Sequence, residues 1–404
     1  MSRAARHRRR AATEPPAIAG HHRGHGHSHE PPAPAGRRVR VAIAALLVPA
    51  ALATAVGIVL FAPWSGFART DAAAAAGPRV PGHVTAATEV PCDTADPGAP
   101  LDCVALDVTL ADGRTVQTVA SKVRGTVPWG AGDDIVLLQS GDPADPASYD
   151  PVDFQRGTPM LVLAVLFAVA VVALGRWRGL AALIALGLSL VVLVTFVLPA
   201  ILAGRDPLAV AVAGSCAIMF GVLYLTHGFS ARTSTAVLGT LASLVLIGVL
   251  GAVFVAAAHI TGLGEDTAGL ARALGTSVDG RGLVLAGLVI GALGALDDVT
   301  VTQTSAVWEL NAADPAMRPR ALFAAAMRIG RDHVASSVNT LVLAYAGAAL
   351  PLLLLFSVAE RGLTDTLTTE VIAVEVVRTL VGSIGIVASV PVTTALAVAV
   401  VTRR

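Results

Sequence analysis

The sequence predicts an all-α polytopic membrane bundle of about eight transmembrane helices, with a small extracytoplasmic all-β domain between the first and second helices. The 404 residues are 54% hydrophobic and only 14% charged, and the mean hydropathy is +0.71, whereas an ordinary soluble protein carries about 25% charged residues. Apolar runs of about 20 residues, the length that crosses a bilayer, recur along the chain. One long polar stretch after the first run shows the alternation of β-strands.

Composition divides the chain into four segments. Residues 1–40 are rich in Arg, Pro, Gly and His and show no apolar periodicity, so we expect a disordered cytoplasmic tail. Residues 41–62 form the first apolar run. The basic residues 37–40 before it would also suit a signal peptide, but we expect an uncleaved transmembrane anchor. Residues 63–157 form the β domain, and residues 158–404 form a seven-helix transmembrane domain.

The β domain is recognised by short alternating segments. Residues 103–121 predict two strands around a turn at Asp112 and Gly113, because Asp-Gly is a strong hairpin signal. Residues 83–90 and 133–140 are two further candidate strands. A partner in the cell envelope, a sensed molecule or a lid role would each be compatible with such a domain.

The three cysteines are divided between the β domain and a span. Cys92 and Cys103 both lie in the outer domain, where an oxidising exterior permits a disulfide bond. Closing so short a loop would stabilise the domain by about 3 kcal/mol. Cys216 lies in an apolar run, and we expect it to be a small core residue.

The distribution of arginine sets the orientation. Basic residues of short loops concentrate on the cytoplasmic side, and this rule is satisfied when both termini are cytoplasmic. A single lysine, many arginines and a richness in Ala and Val indicate a bacterial plasma membrane. The eight predicted spans are 41–62, 159–175, 179–203, 207–226, 235–258, 283–309, 338–358 and 372–402.

The stretch GALGALDDVTVTQTSAVWEL at residues 291–310 places charge inside a span. The apolar part, 283–296, is about 21 Å of helix, shorter than the roughly 30 Å hydrocarbon core. Either the polar half completes the crossing, or the segment is re-entrant or broken. In each case Asp297 and Asp298 lie at membrane depth.

Helical spacing gathers the polar residues into a stripe. Asp298, Thr302, Ser305 and Glu309 stand at i, i+4, i+7 and i+11, with Asp297 beside them. A central charge costs about 2.5–3.5 kcal/mol on insertion scales, so we expect the stripe to face other helices or water. It could hold helices together, or it could form an ion, proton or polar-solute path.

Further polar residues within the next two predicted spans, or at the entry to the first of them, could complete the site. Arg331 is the best candidate partner for Asp298 or Glu309, although it also suits a membrane-edge anchor. Glu375 and Arg378 are three residues apart and are interpreted as a salt bridge at the outer rim. The candidate path residues are Asp297, Asp298, Thr302, Ser305, Glu309, Arg331, Asp332 and Asn339.

Several of these motifs together resemble the YibE/F family of bacterial multi-pass membrane proteins. The resemblance covers roughly residues 80–402 and is most specific in 291–310, 328–354 and 375–393. It places Asp298 at the family's acidic position and leaves Asp297 as a departure. The matching positions are Ser305, Glu309, Arg331, Asp332, Asn339 and Pro351. The family implies an N-terminal anchor, an outer β domain and a multi-span region, and it implies no mechanism.

The sequence therefore favours a protein that moves an ion or a small polar solute. A non-transporting scaffold or regulator, whose β domain binds an envelope partner, is the alternative. An aspartyl protease would need Asp298 beside Asp332, which is expected at the rim. We expect no enzyme activity, no cofactor, no metal site and no nucleic-acid partner. The histidine-rich residues 21–30 would at most form a flexible metal-binding tract.

Overall fold

The structure is a computed structural model that describes residues 36–64, 77–91, 102–122, 129–264, 279–358 and 368–403. It is mostly helical, with a small sheet after the first helix. The helices are α1 (Arg37–Phe61), α2 (Gly157–Val192), α3 (Leu198–Leu202), α4 (Pro207–His227), α5 (Ala231–Ala257), α6 (Gly280–Ala313), α7 (Pro319–Ala348), α8 (Leu350–Val358) and α9 (Glu370–Thr402).

Six helical segments among the described residues are long and apolar enough to cross a membrane. They are α1, the continuous run Gly157–Leu202, α4, α5, α6 and α9. Large apolar side chains cover the outside of several of them; Leu163, Leu166 and Val169 of α2 are exposed. Such continuous apolar surface is the signature of a lipid-facing helix, so the chain is a membrane-embedded protein, as its composition predicted.

The run Gly157–Leu202 is sharply bent at one residue. Arg176 has φ 51° and ψ −128°, outside the helical region. A Cβ on Gly179 would collide with the carbonyl of Val171, although eight residues of straight helix would separate them by about 12 Å. The bend therefore falls at the predicted boundary between spans 159–175 and 179–203. A π-helical turn, Leu193–Val197, joins α2 to α3.

The sheet is antiparallel, with five strands in the order β3-β2-β1-β4-β5. The strands are β1 (Arg79–Pro91), β2 (Asp102–Leu110), β3 (Thr115–Lys122), β4 (Asp134–Gln139) and β5 (Tyr149–Phe154). The first four correspond to the predicted strands, and β5 was not predicted. The sheet curls into a half-barrel around a core that includes Val84, Leu106, Val108, Ile135 and Leu137.

The predicted turn between β2 and β3 is confirmed. Gly113 adopts φ 83°, a conformation that costs glycine little. The Asp112 carboxylate accepts a hydrogen bond from the Arg114 backbone N–H at 3.0 Å and another from its Nε at 2.7 Å. These two bonds lower the pKa of Asp112, and the bond from the Arg114 backbone has the larger effect.

Cys103 forms a disulfide bond and Cys216 is a free thiol. Cys92, the partner expected from the sequence, lies outside the described residues, as does the histidine-rich stretch 21–30. Cys216 is half-buried in α4.

The helical core lies where α4, α5, α6 and α9 pack together. Its largest fully buried side chains include Met219, Ile247, Leu296 and Ile386. Close approach of α5 and α9 requires a small residue at Gly385, since a Cβ there would collide with Ile247. Small residues at such crossings are the usual solution in membranes, where apolar burial alone does not drive helices together.

The last part of the helical region differs from the sequence prediction in its boundaries. The predicted span 338–358 belongs to two helices, because α7 begins at Pro319 and runs to Ala348, and α8 follows. The preceding predicted span, 283–309, lies within the longer α6.

Truncating the β-domain core tests this part of the fold. Leu106 is fully buried, so Leu106→Ala should lower the free energy of unfolding of the domain by about 2–5 kcal/mol. Val119→Ala changes an exposed β3 residue and should cost no more than about 0.5 kcal/mol. Hydrogen exchange of the β2 and β3 amides in the full chain measures both. Equal effects of the two substitutions would contradict the half-barrel core.

Candidate functional site

Helix α6 carries the acidic residues and is unbroken. It has 34 residues, about 51 Å at 1.5 Å per residue, and Asp279 caps its start by accepting a hydrogen bond from the Gly282 N–H at 3.0 Å. The polar half therefore continues the apolar half as one helix, and the re-entrant and broken alternatives are wrong.

The length of α6 fixes the depth of its acids. Any segment of about 30 Å within a helix of about 51 Å must include the central 9 Å or so. That centre corresponds to residues 294–300, and it contains Asp297 and Asp298. Provided that α6 crosses the bilayer, both carboxylates lie within the hydrocarbon thickness wherever the helix slides along its axis.

The most buried polar face of α6 was not the one that the sequence analysis chose. Thr300, Gln303 and Thr304 are almost completely buried. Gln303 Nε2 donates to the Ala326 carbonyl of α7 at 3.0 Å and to Thr394 Oγ1 of α9 at 2.7 Å. This amide therefore ties three helices together.

A second interhelical bond lies one turn away. Thr300 Oγ1 is 2.8 Å from Thr240 Oγ1 of α5, and both side chains are fully buried. In hydrocarbon these bonds satisfy groups that lipid could not, which is how polar residues hold transmembrane helices together.

The predicted stripe lies on the adjacent face, where it is partly open. The side chain of Asp298 is 68% exposed and that of Glu309 is 76% exposed, whereas Thr302 and Ser305 are half-buried. The helical spacing of these residues thus places them on one side of α6, as predicted. In a single chain, however, Asp298 and Glu309 are not covered by other helices.

The basic residues that contact the stripe differ from the predicted one. His333 Nε2 of α7 lies 3.3 Å from Asp298 Oδ2. Arg232 of α5 lies 3.6 Å from the Glu309 carboxylate and donates to Ser305 Oγ from Nε at 3.1 Å. The Arg232 guanidinium bonds Ser305 through Nη2 as well.

The prediction that Arg331 pairs with Asp298 or Glu309 is wrong. Two residues of helix turn the side chain by about 200°, so His333 faces α6 while Arg331 points away and is exposed. Asp332 and Asn339 are exposed as well. The structure therefore brings Asp298, Ser305 and Glu309 into contact with bases, and it leaves Arg331, Asp332 and Asn339 on the outer surface of α7.

Asp297 is the acid whose surroundings are incomplete. Its side chain is half-buried, and its Oδ1 is buried without a hydrogen-bond partner among the described residues. Buried polar atoms are rarely left in this state.

The predicted salt bridge between Glu375 and Arg378 is confirmed, and it lies against the apolar half of α6. Arg378 Nη1 is 2.5 Å from Glu375 Oε1, and both side chains are mostly buried. A Cβ on Gly287 of α6 would be 3.4 Å from Arg378 Nη2, and one on Gly291 would be 2.7 Å from the Tyr345 hydroxyl. Both glycines lie within the apolar run 283–296, so Arg378 and Tyr345 reach the apolar half of α6.

Sequence reasoning missed Arg232, His333 and Gln303. His333 and Gln303 lie within the polar segments that were identified. Which residues of those segments contact another helix depends on how α6 and α7 pack, and the sequence does not show that. Arg232 carried no local signal beyond its place at the start of a span, because its contact with α6 bridges more than 70 residues of sequence.

A model of the YibE/F-like protein family matches residues 163–403, which is more than half of the chain and includes every helix from α4 to α9. The chain matches no curated protein and no solved structure.

Removing the Gln303 amide tests the polar junction. Gln303→Met keeps the volume but loses both interhelical bonds, and it should lower the free energy of unfolding by about 0.6–2 kcal/mol, the range for such bonds in membranes. Thr195→Val is the matched control, because that exposed hydroxyl bonds only its own helix. Unfolding of the purified protein in mixed micelles provides the measurement. A Gln303→Met loss no larger than that of the control would contradict the role of the junction.

Proposed function

The chain belongs to the YibE/F-like family, and because it carries charged residues at membrane depth, we propose that it moves an ion or a small polar solute across a bacterial plasma membrane. The observation that carries the proposal is the pair of Asp298 and His333, 3.3 Å apart near the middle of α6. Placing an acid and a base at this depth costs free energy, and in membrane proteins such groups mark ion or substrate pathways.

The residues divide the work along α6. Asp298 with His333 is the central site, where a carboxylate and an imidazole can bind a cation or exchange a proton. Asp297 offers a buried carboxylate oxygen that has no donor from the described residues and is open to a transported cation or water. Arg232, Ser305 and Glu309 form the inner gate, and Thr302 lines the path between the two groups.

The proposed topology has eight crossings with both termini in the cytoplasm. The bend at Arg176 divides Gly157–Leu202 into two crossings, and α7 with α8 supplies the seventh. The positive-inside rule supports this arrangement, because Arg178, Arg232 and Arg318 then fall on the cytoplasmic side. The half-barrel lies outside the cell, where an oxidising environment suits the disulfide of Cys103.

Flux through purified protein in liposomes tests the proposal. Pyranine-loaded liposomes under a potassium diffusion potential report proton movement, and Na⁺, K⁺ and Cl⁻ are then tested in turn. The unsubstituted protein should exceed empty liposomes for at least one ion. Asp298→Asn keeps the shape but removes the charge, so we expect at least a tenfold loss of that flux with insertion unchanged.

Asp314→Asn is the matched control, since Asp314 is an exposed loop acid after the end of α6 and its replacement should leave the flux unchanged. If Asp298→Asn carried ions as fast as the unsubstituted protein, Asp298 would not line the path. If the unsubstituted protein moved none of the four ions, the scaffold alternative would be favoured and the polar residues would serve packing.

A further inference from the structure

The outer face of α7 is polar at a depth where lipid should surround it. Three contacts fix the alignment of α7 against α6: Ala326 with Gln303, His333 with Asp298, and Tyr345 with Gly291. Asn339 stands between His333 and Tyr345 in the sequence. It is therefore level with the α6 segment between Asp298 and Gly291, inside the predicted span.

This face is exposed in the single chain and forms a regular seam. Its members recur at intervals of three and four residues, the spacing of helices that pack side by side. Asn339 makes no hydrogen bond with any described residue. The seam consists of Arg328, Asp332, Ala335, Asn339, Val342 and Ala346, all of them exposed.

Lipid is a poor occupant for this seam. Hydrocarbon cannot satisfy the Asn339 amide, which both donates and accepts hydrogen bonds. Ser336, Asn339 and Thr340 are exposed on this part of α7 beside Val342 and Leu343, whereas the outward faces of α1, α2 and α5 are Leu- and Val-rich. A polar face among apolar ones indicates a protein-covered surface or a water-filled one.

The chemistry of the seam fits a second copy of the same chain. Two copies in one membrane point the same way, so a two-fold axis along the membrane normal sets α7 parallel to its counterpart and each residue opposite itself. Asn339 is self-complementary in that arrangement, as a single Asn is in parallel paired helices. Ala335 and Ala346 are small enough to let the backbones approach closely.

Charge supports the same occupant. Arg331 and Asp332 are adjacent, opposite in sign and exposed, and neither forms an ion pair with a described residue. A two-fold axis sets each residue opposite its own counterpart, so Arg331 of one copy and Asp332 of the other lie one position apart along the paired helices and are close enough to pair. A partner of different sequence would need its own matching residues, whereas a second copy supplies them automatically.

We infer that α7 is the contact helix of a parallel homodimer, with Asn339 paired to Asn339 of the second copy inside the membrane. The inference rests on the depth and exposure of α7 and stands whether or not the protein transports an ion.

Disulfide cross-linking in liposomes tests the dimer. Cys216→Ala removes the free thiol among the described residues, and single cysteines are then placed at Asn339, Val253 or Ser337. Val253 is exposed on α5, and Ser337 lies on α7 but is half-buried. With copper phenanthroline at a low protein-to-lipid ratio, Asn339→Cys should yield at least tenfold more cross-linked dimer, of twice 40.9 kDa, than either control.

Dimer yields equal to the controls would overturn the inference. So would rapid labelling of Asn339→Cys by a membrane-impermeant thiol reagent without dimer formation, because the face would then line water within one chain. If the cysteine variants failed to insert, single-molecule photobleaching of the unsubstituted, fluorophore-tagged protein decides the matter: two steps per particle support the dimer and single steps exclude it.

Discussion

Polar groups inside a bilayer must be received by protein or by water, and this constraint organises the structure around α6. The helix is so long that Asp297 and Asp298 stay within the hydrocarbon wherever it slides along its axis. It carries polar residues on two adjacent faces. One face is covered completely by α5, α7 and α9. The other, with Asp298 and Glu309, is met by single basic residues and stays partly open. The contrast separates groups that hold helices together from groups that remain available.

The polar residues of the covered face hold the helices together through interhelical hydrogen bonds. Gln303 reaches two helices and Thr300 a third, whereas the Thr304 hydroxyl of the same face is buried without a hydrogen-bond partner among the described residues. The open face differs because its groups are ionisable and only partly paired. The hydrogen-bonded junction would hold the helices in place, while the partly paired acids beside it would line the proposed path.

The sequence predicted the elements well and their contacts poorly, for a physical reason. Apolar length predicted α1, α4, α5, α6 and α9, and the Asp-Gly signal predicted the β2–β3 turn, because both depend on local residues. The spacing of Asp298, Ser305 and Glu309 also predicted a common face. Which neighbour receives that face depends on the rotation and alignment of the next helix. For that reason His333, and not Arg331, contacts Asp298. Strand β5 was missed for a different reason, because its sequence alternates only weakly.

The depth of α6 is the claim on which the site, the proposed function and the dimer all depend. Depth-dependent quenching by lipids with doxyl groups at known carbon positions measures it, with a fluorophore on single cysteines replacing Gly294, Asp298 or Asp314. We expect quenching from within the acyl chains at positions 294 and 298 and quenching only at the headgroup level at position 314. A headgroup-level signal at position 298 would place the acids in water and leave the account without its premise.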